Sequence, residues 1–152
     1  MSKVSLMFQL DVEEEWPPVG IESVPCELRD GDYRVLVSPL FVKNLSVGDV
    51  ISAELNADGA VRTWRHVQRS DHTTVWLLRL AANNNLDDVL TRLRGLGCNT
   101  VSLPQAGCYS VDVPGSVDIA DVDAVLSMLD ESAVGVAFPS MRHEAEIRTG
   151  LD

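Results

Sequence analysis

Leu86-Asp87-Asp88-Val89-Leu90-Thr91-Arg92-Leu93-Arg94-Gly95-Leu96-Gly97 is the stretch that decides the fold. Leu86, Val89, Leu90, Leu93 and Leu96 recur at the spacing of one helical face. Asp87 and Asp88 stand in the first turn, where the helix dipole favours anions. Arg92 and Arg94 stand in the last turn, and Gly97 ends it. Asn83-Asn84-Asn85 just upstream offers an N-cap. The pattern predicts an amphipathic helix with one buried face.

Outward from this helix, residues 73–80 read as a strand before it. Residues 99–103 and 108–113 form a hairpin around Pro104-Gln105-Ala106-Gly107. A second helix starts near Asp118 and buries Ile119, Val122, Val125, Leu126 and Leu129. Residues 133–138 are a last strand with Val134, Val136 and Phe138 on one face. The order β-α-β-β-α-β is the split βαβ plan, a ferredoxin-like unit with both helices on one face of an antiparallel sheet. The opposite face is left to pack on the N-terminal half.

That half reads as short strands separated by turns. Val4, Leu6, Phe8 and Leu10 alternate with polar positions and Met7. Strands follow at 22–29, 33–37, 50–55 and 60–67, with hairpin turns at Asp30-Gly31-Asp32 and Asn56-Ala57-Asp58-Gly59. Such spacing suggests a small β-barrel or curled sheet. The predicted class is therefore α+β: a β-rich half (1–70) packed on a ferredoxin-like half (71–142), with a polar tail (143–152), as one rigid unit.

The net charge is −11 over 152 residues. No basic run offsets it, so a nucleic-acid backbone or an anionic membrane is a poor partner. A basic protein would be steered in. An odd three cysteines and no membrane-length apolar stretch suggest free thiols in a reducing cytoplasm. If Leu103 pairs with Cys108, Cys98 lies opposite Val113 and the two thiols are about 17 Å apart, beyond disulfide reach.

Phe8-x-Leu10, Glu14-x-Trp16-Pro17-Pro18 and Glu22 resemble the start of a bacterial family catalogued as domain of unknown function 4265. Pro39-x-Phe41, Val47-Gly48-Asp49-Val50 and Glu144-Ala145 continue the likeness. Ser70-x-His72-x-Thr74 is similar to that family's Ser-Gly-His-Ser-Thr stretch, with Asp71 in place of the Gly and Thr73 in place of the Ser. The resemblance implies a bacterial, stand-alone small protein and no assigned reaction.

Two candidate sites stand out. In the first, His72 acts as acid or base, oriented by Glu22 or Glu144, with Ser70 and Thr74 donating hydrogen bonds. The bland alternative is a hairpin closed by two hydroxyls. In the second, Glu13, Glu14, Glu15, Trp16, Pro17 and Pro18 form a binding loop: carboxylates beside an aromatic, stiffened by prolines. Its bland alternative is a Trp capping the barrel end. His66, His72 and Asp71 match no established zinc spacing. Asp118, Asp121 and Asp123 lack a calcium-loop pattern and suit helix capping. No metal or cofactor is expected. The leading reading is a non-catalytic module for a basic protein partner, an immunity protein being one form. The alternative is a small enzyme or small-molecule binder with a pocket between the halves around His72. A structural subunit of a larger assembly is the third reading.

Overall fold

The computed structural model describes residues 2–81 and 86–143. The chain divides into two compact units, Met1–Ser70 and Asp71–Asp152. Both are built on sheet, and the two α-helices belong to the second.

The first unit holds β1 (Ser2–Gln9), β2 (Ile21–Arg29), β3 (Asp32–Val35), β4 (Val50–Leu55) and β5 (Ala60–Gln68). Successive strands pair antiparallel. A short parallel pairing of Met7 and Phe8 with Ala60 and Val61 closes them into a barrel. Closure removes the free edges an open sheet would present. Leu6 and Phe8 point inward and join Val24, Cys26, Val35, Leu45, Ile51 and Val61 in one core. The β2–β3 turn needs positive φ at both central residues, and Asp30 (54°) and Gly31 (85°) supply it. The β4–β5 turn is tied by Asn56, whose Oδ1 accepts the N–H groups of Asp58 and Ala60. β3 ends at Val35, short of the expected 37. Pro39 follows closely and has no N–H with which to extend a ladder.

The second unit holds β6 (Thr73–Arg79), α1 (Asp87–Gly95), β7 (Asn99–Leu103), β8 (Cys108–Val113), α2 (Ile119–Leu126) and β9 (Val134–Ser140). The sheet order is β7-β8-β6-β9, with every neighbouring pair antiparallel. Val75, Leu77, Tyr109, Val111 and Val113 share a core with Leu90 and Leu93 of α1 and Val122 and Leu126 of α2. Both helices therefore cover the same sheet face. Burying a leucine such as Leu93, which is fully enclosed, contributes about 1.5–3 kcal/mol.

α1 begins behind Leu86, which makes no side-chain cap. The expected cap, Asn83 to Asn85, lies outside the described residues. Asp118 does cap α2, accepting the N–H of Ala120 at 2.9 Å. Leu103 stands opposite Cys108 and Asn99 opposite Asp112, so Cys98 falls at the far end of the β7–β8 ladder. All three cysteines are free and buried. Val136 stands opposite Leu77, on the helix side of the sheet. Yet Val136 is 40% exposed and Phe138 is 43% exposed: the helices leave this edge strand partly uncovered. No described helix is long and apolar enough to cross a membrane.

Candidate functional site

The β1–β2 loop continues the hairpin beyond the barrel. Leu10 N–H donates to Gly20 O at 2.9 Å. Further out, Glu13 N–H donates to Trp16 O at 2.9 Å and Trp16 N–H returns to Glu13 O at 3.0 Å. The two residues between them, Glu14 and Glu15, both take positive φ, 54° and 67°. Left-handed backbone costs about 1–2 kcal/mol per residue that carries a Cβ. Two adjacent glutamates thus occupy a turn that Asn-Gly would fill with less strain. Trp16 is 46% exposed, and Val12, Val19 and Ile21 are exposed beside it.

Glu22 supports this loop from below. It pairs with Phe8 in the β1–β2 register, at the end of the barrel. Its carboxylate accepts the N–H groups of Leu40 (2.6 Å), Phe41 (2.9 Å) and Val42 (3.0 Å). That fixes Phe41, which meets Trp16 edge-to-face at 6.1 Å. Burial pushes the Glu22 carboxyl above its ordinary range, and the three N–H groups pull it back only in part.

The carboxylate hydrogen-bonded to His72 belongs to Asp112 and not to the expected Glu22, whose oxygens are taken by the N–H groups of Leu40, Phe41 and Val42. Asp112 Oδ1 lies 2.6 Å from His72 Nδ1, and its Oδ2 accepts from Asn99 Nδ2 at 3.0 Å. Asp112 is 2% exposed. On the far side of the ring, His72 Nε2 lies 3.9 Å from Asp71. Asp71 fills the space that a side chain at Gly115 would need. Thr74 is buried in β6, in register with Asp112 and Ser140. Ser70 closes the first unit instead: its N–H donates to Asp49 Oδ1 at 2.8 Å and its hydroxyl to Val47 O at 2.6 Å. Asp49, fully enclosed, also accepts from Ser46 N–H and lies 2.9 Å from His66 Nε2. Glu144 lies outside the described residues. Among the described residues, no three His, Cys, Asp or Glu side chains converge as a metal site would require.

A family model described as a domain of unknown function, DUF4265, matches residues 22–136. The chain belongs to the DUF4265 family. The span matched by DUF4265 contains Glu22, His72 and Asp112 and starts after the Glu13 to Pro18 loop. This DUF4265 chain is also similar to a solved structure described as a hypothetical protein from Neisseria gonorrhoeae. Identity is 17% over 91% of this chain and 96% of that one, with a TM-score of 0.68. At that identity the likeness concerns the fold alone. No curated protein matches the DUF4265 chain.

Sequence reasoning did not single out Asp112 as a partner for His72. A signal existed: Ser110 and Asp112 are polar positions inside an otherwise apolar strand, and all six residues of β8 are buried. A buried carboxylate needs donors, so Asp112 had to have partners.

Proposed function

We propose that this DUF4265 chain is a non-catalytic protein-binding module that takes a basic protein on its β1–β2 loop. One observation carries the reading. Glu14 and Glu15 are held in left-handed backbone at the tip of a reciprocally bonded turn, with Trp16 exposed beside them and braced by Phe41. Strain kept at a surface turn that presents charge points to function, because a turn with no other task would favour Asn-Gly. Val12, Val19 and Ile21 add apolar contact area, and the net charge of −11 steers a cationic partner inward. An immunity protein bound to a basic toxin is one form of this arrangement, and three buried free thiols suit a cytoplasmic setting. The sheet order β7-β8-β6-β9 with both helices on one face supports a ferredoxin-like assignment for the second unit.

The test is site-specific photo-cross-linking in cells that make the protein. A reactive residue at Val19 should give one adduct with a basic protein, and a control at Leu55 none. Glu14→Lys with Glu15→Lys should abolish the adduct. An adduct that survives charge reversal would overturn the reading.

A second reading rests on the His72–Asp112 pair. A buried carboxylate that orients an imidazole is the arrangement of a general base. It supports a small enzyme or ligand-binding protein in which Asp112 takes the orienting role. Turnover or ligand binding lost in His72→Ala, with the fold intact, would favour it.

A further inference from the structure

We infer that the groove between α2 and the edge strand β9 is a small-molecule site for a ligand with an apolar body and one cationic amine. The groove exists because α2 covers the centre of the sheet through Val122 and Leu126 while Phe138, on β9, remains 43% exposed. The space between them measures about 700 Å³. Ligand pockets run from roughly 300 to 1,000 Å³.

The walls set the chemistry. Val117, Ile119, Val122, Leu126, Phe138 and Met141 supply apolar surface. Met141 adds a flexible thioether that adapts to a guest. His143 also lines the groove, but its nitrogens are committed. The Thr73 hydroxyl accepts the N–H groups of Arg142 and His143, at 2.8 and 3.0 Å. Its own proton has two acceptors in reach, His143 Nδ1 at 2.7 Å and, more distantly, Met141 Sδ at 3.8 Å, and the shorter contact is the stronger. Nε2–H then lies between the carbonyls of Pro114 and Val117, each at 3.1 Å. With both nitrogens used, the imidazole offers a guest no hydrogen bond. The ligand's body must be apolar.

Charge sets the rest. The lining carries two carboxylates, Asp118 and Asp123, and neither Lys nor Arg. An amine is attracted to this rim and a carboxylate is repelled.

The experiment is a titration of the full chain followed by amide NMR shifts. Three probes share one apolar body: 4-phenylbutylamine, 4-phenylbutanol and 4-phenylbutyrate. The amine should shift Ile119, Val122, Phe138 and Met141 and bind about tenfold more tightly than the carboxylate. Asp123→Asn should weaken the amine severalfold and leave the alcohol unaffected. Ala120→Trp, at an exposed position on the groove wall, should block all three probes. If that variant fails to fold, Phe138→Ala serves in its place, and it should weaken all three. Absent shifts, or equal binding of amine and carboxylate, would overturn the proposal. So would shifts at these residues that grow with protein concentration alone, which would assign the groove to a second copy.

Discussion

His72 Nδ1 and Asp112 Oδ1 lie 2.6 Å apart although the residues are 40 positions apart in the chain. The aspartate is buried at 2% exposure and its second oxygen is taken by Asn99. Asp112→Ala would leave two donors without their acceptor, at a cost of about 1–3 kcal/mol each. Asp112→Asn keeps one acceptor and should cost less. Urea unfolding should give the order wild type, Asp112→Asn, Asp112→Ala. Equal stability of all three would mean that the pair contributes nothing to the fold.

Replacing Glu14-Glu15 with Asn-Gly should stabilise the protein by about 1 kcal/mol or more, because both positions have positive φ. The same change removes two exposed charges, so partner capture should fall as stability rises. Thermal melts and the Val19 cross-link, read together, check the trade. A lower melting temperature would show that the glutamates are not strained.

Glu22 gives a pH signature. Burial raises its carboxyl above the ordinary range. Over the window between its unfolded and folded values the native state holds more protons than the unfolded state. Its contribution is therefore complete below the unfolded value and declines as pH rises through the folded one. The stability gap between wild type and Glu22→Gln should be wider near pH 4 than at pH 7. A gap that widens with pH would reverse the sign.

The thiols should be inert. Burial pushes Cys26 and Cys98 up to about 11, and Cys108 is raised as well. Thiolate is the reactive form. Iodoacetamide at pH 7.5 should add no label to the native chain and three after denaturation, as mass spectrometry would show. Rapid labelling of the native chain would contradict the burial.

Much of the element order was legible in the residues. Leu86, Val89, Leu90 and Leu93 mark α1, and Leu6 and Phe8 alternate as β1 does, because helix and strand periods are imprinted locally. Turn residues worked for the same reason: Asp30-Gly31 and Asn56 to Gly59 carry the backbone and side-chain chemistry their turns need. The exposed loop of Glu13, Glu14, Trp16, Pro17 and Pro18 was visible as composition. Its reciprocal turn and its brace from Phe41 were not.

By itself, then, the sequence determined the run of strands and helices, the separation of Cys98 from Cys108, and the acidic character of the surface. The tertiary structure alone decided which groups meet. It set Asp112 against His72, gave Glu22 the N–H groups of Leu40 to Val42, and left the flank of β9 open beside α2. The reason is physical. Periodicity depends on a residue and its near neighbours, whereas a buried carboxylate finds its donor through strand register and helix placement, which couple positions far apart in the chain.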